Sequence, residues 1–223
     1  MSRTQNSATM MLLSGLVGLL LVLTAEARVG DSSELQFCTE TDECLLFDPI
    51  CQINDLEVRH YSSVKWVSTN QSSVLMEFAA MSTFRRLFNY IRSSNDQGVE
   101  IDMTSPVLVS MPQKNFWEMG VFTMSFLLPD KYQQSTPNPT NDRVYIHDTP
   151  DMTVYVLSYG GWMTTSSINN AFKQLSTQLD AIGAKYRKDT RYAAGYNSPM
   201  TMGKRHNEVM FVVEGEPACP SQD

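Results

Sequence analysis

Apolar and polar residues alternate along two short segments early in the chain, and this period of two predicts β-strands. The segments are Leu56–Tyr61 and Val64–Thr69. The next segment, Val74–Arg92, repeats its apolar residues at a spacing near 3.6 and therefore predicts an amphipathic helix. Two further strand-like segments, Ile101–Met111 and Val121–Leu128, follow this helix.

The predicted helix has two contrasting faces. Its apolar stripe consists of Ala80, Phe84, Leu87, Phe88 and Ile91. Its opposite face carries Arg85, Arg86, Asn89 and Arg92. Ser72 or Ser73 is in position to cap the first turn. We expect the apolar stripe to pack against the sheet.

The same order of elements recurs in the second half of the chain. A segment with three prolines, Pro129–Asp142, separates the halves and predicts a loop. A second amphipathic helix is predicted from Ser166 to Ile182, with Gly183 as its stop signal. The predicted strands around it are Val144–His147, Met152–Tyr159, Arg191–Tyr196 and Glu208–Val213.

A short motif after each helix supports this repeat. Met103-Thr104-Ser105-Pro106-Val107 matches Tyr196-Asn197-Ser198-Pro199-Met200 at a distance of 93 positions. We therefore predict one α+β domain at residues 53–214, built from a pseudo-twofold β-α-β-β repeat with halves at about 53–129 and 143–214. Because neither half can bury both faces of its strands alone, the strands should join into one antiparallel sheet or distorted β-barrel, covered by the two helices.

Composition excludes several classes of protein. Hydrophobic residues make up 42% of the 223 residues and charged residues 18%, which does not fit a disordered chain. The formal net charge is −7. Because phosphate backbones and anionic lipids attract basic surfaces, this balance argues against nucleic acid as a partner and against a polybasic membrane-surface protein.

The first 27 residues have the order of a secretory signal peptide. Arg3 precedes an apolar run from Met10 to Ala25, and Ala25-Glu26-Ala27 supplies small residues at the cleavage site. The alternative is a membrane anchor, but this run of sixteen residues contains two glycines and a serine, and a spanning helix needs about 20 apolar residues. We expect a secreted, extracellular chain that begins at Arg28 and has no transmembrane segment.

Four cysteines remain in the mature chain, and an even count in an oxidising compartment predicts two disulfides. They are Cys38, Cys44, Cys51 and Cys219. Three pairings are possible, and each joins the N-terminal extension 28–52 to the C-terminal tail 215–223 by one bond. A zinc site is the alternative, but the spacing lacks its C-x2-C knuckles. Asn70-Gln71-Ser72 is a glycosylation sequon, which predicts an exposed loop that carries a glycan at Asn70.

Several of these segments resemble the SOUL haem-binding protein family. The resemblance rests on Glu57–Tyr61, Phe84–Ile91, Met103–Val107, Ala194–Pro199 and Asn207–Val209, which occur in the family's order and span most of the mature chain. It implies a distorted β-barrel with two helices and a pseudo-twofold repeat. It also implies a fold similar to bacterial effector-binding domains that take up hydrophobic small molecules.

The resemblance further implies that haem or a related porphyrin is the ligand, held reversibly and without a covalent bond. One binding mode uses His60 of the Arg59-His60-Tyr61 segment as an axial ligand of the iron. The other uses an apolar surface on the first helix, here Met81, Phe84 and Phe88, with basic side chains paired to the propionates. Arg85, Lys204 and Arg205 are the candidates for that pairing. The sequence departs from the second mode at Met81 and Thr201, where the family pattern has an arginine and a lysine.

Three functions remain to be compared. We expect a carrier or buffer of the ligand. The chain contains no G-x-S-x-G, H-E-x-x-H, P-loop or G-x-G-x-x-G motif, so an enzyme is not expected. The alternative is an extracellular protein-interaction module that keeps the fold without binding haem. For His60, which lies at the end of a strand, the alternative to an iron ligand is a solvated side chain.

Overall fold

A computed structural model describes residues 28–115 and 117–220. These residues form two α-helices, α1 (Met76–Ile91) and α2 (Thr165–Ala181), and eleven strands. The strands are β1 (Val29–Asp31), β2 (Glu43–Leu45), β3 (Asp48–Ile53), β4 (Leu56–Tyr61), β5 (Val64–Ser73), β6 (Val107–Ser110), β7 (Gly120–Leu127), β8 (Val144–Thr149), β9 (Met152–Tyr159), β10 (Tyr186–Gly195) and β11 (Asn207–Val213). The predicted signal peptide lies outside the described residues. None of the described helices is long and apolar enough to cross a membrane.

Nine strands form one antiparallel sheet in the order β3-β4-β9-β11-β10-β6-β7-β5-β8. β6 and β10 pair at the pseudo-twofold centre, with Val107 opposite Gly195. Counting outward gives β7-β5-β8 on one side and β11-β9-β4 on the other, so each half lends its first strand to the other. The predicted α+β class and its internal repeat are thus confirmed. The Ser-Pro motif does not mark equivalent places in the two halves, because Ser105-Pro106 precedes β6 whereas Ser198-Pro199 follows β10. The sheet stays open, because its edge strands β3 and β8 do not pair, so the barrel implied by the resemblance does not close.

Each face of the sheet has its own core. On one face, side chains such as Val67, Phe126 and Tyr155 pack under α1 and α2. On the other face, Trp66 and Val156 pack under the N-terminal segment around Cys38, Cys44 and Leu45. The sheet is therefore buried on both sides, and the helices and the N-terminal segment form its two covers.

The start of α1 is stabilised by α2. Leu75 is the N-cap residue and makes no side-chain hydrogen bond, so the predicted serine caps are wrong. Ser72 and Ser73 instead belong to β5. The backbone N–H of Met76 donates to the Thr165 hydroxyl at 3.0 Å. The Glu77 carboxylate in turn accepts from the Thr165 backbone N–H and hydroxyl at 2.8 and 2.5 Å, which joins the two helix starts.

Several predicted boundaries move for local reasons. The predicted strand Ile101–Met111 shrinks to β6, because Pro106 cannot donate to a neighbouring strand and segment 101–106 bonds through other groups, such as Thr104 to the Leu127 carbonyl. β10 begins at Tyr186, five residues before the predicted start, with a register shift before Arg191. Strands β1 to β3 precede Leu56, where no strand was predicted.

Candidate functional site

A cavity of about 550 Å³ lies between α1 and the central strands of the sheet. It is bounded by α1, by β6 and β7, and by the segment that connects β10 to β11. Most of its lining is aliphatic, aromatic or thioether. The lining residues are Met76, Ala80, Met81, Phe84, Arg85, Phe88, Val107, Val109, Met124, Trp162, Met163, Gly195, Asn197, Pro199, Arg205 and Asn207.

The cavity takes its aromatic wall from one side of α1. Phe84 is half-buried, while Phe88 is 41% and Met81 82% exposed. The rings of Phe84 and Phe88 are nearly parallel, with an interplanar angle of 16° and centroids 5.8 Å apart. Leu87 and Ile91, by contrast, are buried against the sheet. The single apolar stripe predicted for this helix is therefore two stripes, one for the core and one for the cavity.

Arg85 and Arg205 bring positive charge to this apolar cavity. Within the described residues, neither guanidinium has a carboxylate oxygen within 4.0 Å. Arg205 lies 4.2 Å from the ring centroid of Trp162. Its terminal nitrogens donate to backbone carbonyls of Asn197, Ser198 and Thr201 at 2.8–3.2 Å. Its Nε is buried and has no partner among the described residues, so one donor of the guanidinium is unsatisfied.

Glu40 holds the loop that positions Arg205. Its carboxylate accepts hydrogen bonds from Asn197 Nδ2, the Ser198 backbone N–H and the Thr201 hydroxyl at 2.5–2.8 Å. Burial alone would raise the pKa of Glu40, but these hydrogen bonds outweigh it and lower the pKa below its ordinary value. The N-terminal extension therefore reaches the rim of the cavity. There the charged carboxylate of Glu40 holds the loop that positions Arg205.

Met163 enters the cavity because β10 ends in glycine. A Cβ built on Gly195 would lie 2.5 Å from the Met163 sulfur, so only glycine leaves room for this thioether. Asn207 donates to the Gly161 carbonyl at 2.8 Å and fixes the turn that carries Trp162 and Met163. The sequence did not identify Trp162, Met163 and Asn207 as residues of a binding site. The available signal was the Gly160-Gly161 pair, which marks a turn next to a tryptophan.

His60 lies away from this cavity. It pairs with Thr153 near the start of β9, whereas the cavity residue Asn207 pairs with Tyr159 at the end of that strand. Six residues of strand separate the two positions, or ~20 Å. Its Nε2 is 2.8 Å from a carboxylate oxygen of Asp151, and its Nδ1 is 3.7 Å from Asp48. The hydrogen bond with Asp151 raises the pKa of His60 above its ordinary value, with burial opposing it.

Comparison with known proteins shows to which family the chain belongs. The family model described as SOUL heme-binding protein matches residues 42–212 of the chain. The chain belongs to the SOUL family. Among curated relatives of this SOUL chain, heme-binding protein 2 of Homo sapiens is 32% identical over 167 residues, 74% of this chain and 82% of that protein. Heme-binding protein 1 of Xenopus tropicalis is 31% identical over 157 residues, 70% of this chain and 82% of that protein.

Solved structures of low sequence identity share the fold with this SOUL chain. The C-terminal domain of EcmrR is 12% identical, with a TM-score of 0.51 over 76% of this chain and 98% of that one. EcmrR in its complex with DNA is 10% identical, with a TM-score of 0.56 over 72% of this chain and 57% of that one. These similarities concern the fold alone.

Two SOUL motif residues have a structural explanation. Arg59, 1% exposed, places a terminal nitrogen 3.0 Å from Glu208, which is fully buried. Arg59 also donates to the Tyr61 hydroxyl at 3.1 Å, and Tyr196 donates to Glu208 at 2.8 Å. Burial would lower the pKa of Arg59, but the charge of Glu208 raises it. The Arg-His-Tyr and Asn-Glu-Val segments of this family thus meet as one ion pair under the N-terminal cover.

Five of the seven predicted ligand-binding residues of this SOUL domain come together. Met81, Phe84, Arg85, Phe88 and Arg205 all line the cavity. His60 and Lys204 do not line it. Within residues 28–115 and 117–220, no three His, Cys, Asp or Glu side chains converge as metal ligands.

The cysteines and the sequon also have defined positions. Cys38 is bonded to Cys44, and Cys51 is bonded to Cys219, which joins the extension to the tail. Asn70 is exposed but lies within β5, so the predicted loop is a strand.

Proposed function

We propose that this SOUL protein binds haem, or a related tetrapyrrole with acidic side chains, reversibly in the α1 cavity. The observation that carries the proposal is the lining, which joins a thioether and aromatic wall to two arginines that have no carboxylate oxygen of the described residues within 4.0 Å. A cavity of about 550 Å³ lies within the range of small-molecule sites. The names of the relatives, heme-binding proteins 1 and 2, support the same ligand.

The lining fits each part of such a ligand. A flat apolar macrocycle gains from contact with Phe84, Phe88 and Met81, since burial of apolar surface contributes about 25 cal/mol per Å². Its propionates can pair with the guanidinium groups of Arg85 and Arg205, which both line the cavity. These contacts do not depend on iron. The imidazole of His60, which would be the iron ligand, lies ~20 Å from the cavity by strand geometry. We therefore favour a site without histidine coordination.

The same lining supports carriage or buffering rather than catalysis. Apart from its two arginines, its side chains are apolar or amide groups. General acid–base and nucleophilic catalysis rely on carboxylate, imidazole, thiol, hydroxyl or amine groups. A cavity of this chemistry is suited to holding a ligand and releasing it unchanged.

A haemin titration followed in the Soret band tests the site. We expect saturation near one equivalent for the wild type and for His60→Ala. Met81→Glu and Arg85→Glu should weaken binding by about tenfold or more, because one buries a charge against the macrocycle and the other repels a propionate. Both side chains are exposed, so neither change should affect folding.

Matched controls carry the same chemistry outside the cavity. Met119→Glu and Arg187→Glu change exposed residues that do not line it. The proposal fails if these controls weaken binding as much as the cavity variants, or if the wild type binds no better than lysozyme. If His60→Ala loses binding and the cavity variants do not, the ligand binds at His60 on β4 and not in the α1 cavity.

We also propose that the protein is secreted after cleavage behind Ala27 and glycosylated at Asn70. Two disulfides are typical of an oxidising compartment, and Asn70 is exposed to a transferase. Expression in secretory cells should yield a chain that starts at Arg28 and loses mass on treatment with an N-glycosidase. An intact N-terminus in the cell lysate, or an unchanged mass, would contradict the respective part.

An interaction module is the second candidate function, and one surface favours it. Trp117 and Met119, in the turn before β7, and Val121, the second residue of that strand, are 74%, 63% and 54% exposed. Exposed apolar patches of this kind often bind other proteins. If haemin does not bind, capture of an extracellular partner by the wild type, and not by Trp117→Ser, would support this alternative.

A further inference from the structure

A second cavity, of about 320 Å³, lies between α2 and strands β10 and β11. It is the pseudo-twofold counterpart of the α1 cavity. A cross-strand pair forms the floor of each: Val109 opposite Met124 in the first, and Arg191 opposite Phe211 in the second. In the second cavity an arginine thus occupies a place where the first has an aliphatic residue.

The two helices contribute equivalent positions to the two cavities. Ala80 and Phe84 are the fifth and ninth residues of α1, and Asn169 and Lys173 are the fifth and ninth residues of α2. All four line their respective cavities. The same side of each helix therefore flanks a cleft, and the second cleft has an amide and an ammonium group where the first has methyl and phenyl groups.

Two positive charges in the second cavity lack a counter-charge. Within the described residues, Lys173 and Arg191 have no carboxylate oxygen within 4.0 Å. The one acidic lining residue, Asp180, lies 4.0 Å from Lys188 and accepts from the Tyr186 hydroxyl at 3.0 Å. Asp180 thus offsets Lys188 and leaves a local charge of about +2 by this count of formal charges.

Arg191 is also held in place with one donor free. Its guanidinium lies 4.2 Å from the ring centroid of Phe172 and donates to Asn169 Oδ1 at 3.2 Å. Its Nε is buried and has no partner within the described residues. Burial lowers the pKa of Arg191, which reflects the cost of a cation placed out of water without an anion.

We propose that this second cavity binds phosphate, either free or as a small phosphate monoester, between Lys173 and Arg191. A phosphate monoester carries a charge of about −1.5 to −2 at neutral pH, which matches the two uncompensated cations. Arginine and lysine are the residues that most often hold phosphate oxygens. Ser176 and Gln113 line the same cavity and can supply further donors. This proposal is independent of the haem site.

Thermal unfolding of the haem-free protein tests this site. Inorganic phosphate and glycerol 3-phosphate are titrated separately at constant ionic strength, with chloride as the balancing anion. We expect at least one of them to raise Tm saturably, because a ligand that binds only the folded state stabilises it. Preference for the monoester would identify a phosphorylated metabolite as the natural ligand, and equal or better response to inorganic phosphate would identify the free ion.

Variants separate the site from a general salt effect. Lys173→Met and Arg191→Gln should each raise the apparent Kd by about tenfold or more, since each removes a charged hydrogen-bond donor. Arg187→Gln is the matched control, because Arg187 is on the same strand, pairs with Asp189 and does not line the cavity. Lys173 is exposed on α2, so its variant should fold even if Arg191→Gln does not. A Tm that follows chloride and phosphate equally, or a Kd unchanged in Lys173→Met, would overturn the proposal.

Discussion

Glu208→Gln is the sharpest test of the buried ion pair. The substitution keeps the shape of the side chain but removes the negative charge that faces Arg59. Arg59 and Glu208 are 1% and 0% exposed, so water cannot replace the lost partner. Removal of one member of such a pair commonly costs 3–5 kcal/mol of unfolding free energy, because the other charge stays buried.

The remaining contacts of Arg59 place the cost at the lower end of this range. Its Nε is 2.9 Å from the Glu57 carboxylate, and its guanidinium lies 3.9 Å from the ring centroid of Phe47. We therefore expect a loss of about 3 kcal/mol, or a shift of the folding equilibrium by roughly 100-fold. Glu57→Gln removes the other carboxylate partner of the same arginine. Because Glu57 is 41% exposed, that change should cost about 1 kcal/mol or less.

Urea denaturation of the oxidised protein, followed by circular dichroism, measures both values. The pH dependence gives a second readout. Burial would raise the pKa of Glu208, but the charge of Arg59 and the hydrogen bond with His206 lower it below its ordinary value of 4.5. A carboxylate with a lowered pKa stabilises the fold above pH 4.5 and loses that effect as the pH falls through its folded value. The difference between wild type and Glu208→Gln should therefore shrink below pH 4.5. Equal costs for the two glutamate variants, or a constant difference with pH, would refute the reasoning.

Three further changes have defined outcomes. His60→Ala should cost less than about 1 kcal/mol below pH 6.5, and this cost should fall away as the pH rises through the raised pKa of the folded state, where the imidazole deprotonates; urea midpoints at pH 6 and pH 9 measure this. Replacement of Cys51 and Cys219 by serine should cost about 5 kcal/mol, because the bond joins residues separated by 168 positions; an unchanged urea midpoint would contradict this. Gly195→Ala should displace the Met163 side chain and weaken haemin binding, and a second change of Met163 to alanine should restore it.

The fold was predictable where periodicity is strong. Both helices, and the strands β4, β7, β8, β9 and β11, lie within two residues of their predicted bounds. Tertiary context decided the rest. The start of α1 depends on Thr165, which is 89 positions away in the chain, and no local pattern contains that information. Strands β1 to β3 were missed because short segments near cysteines and prolines show little alternation.

The cavity residues on α1 could be predicted from the sequence, but most of those that other elements contribute could not. The apolar residues and arginines of α1 could be named because they share one helix. Trp162, Met163 and Asn207 reach the same cavity through the sheet order, which places the second half of the chain beside β6. Arg59 and His60 are neighbours in one sequence motif. Because successive residues of a strand face opposite sides, His60 points away from the buried network that contains Arg59, and Tyr61 joins that network through its hydroxyl.

The open edges of the sheet bear on the tendency of the protein to aggregate. A free edge strand exposes amide groups that can recruit a strand from another molecule and begin aggregation. At one edge, β3 carries Pro49, changes register before Cys51, and is covalently bonded there to the C-terminal tail. At the other edge, β8 presents Asp148, ion-paired to Lys65 of the neighbouring strand. Each edge thus interrupts the flat row of donors and acceptors that an incoming strand would need, which favours a protein that stays dispersed at high concentration.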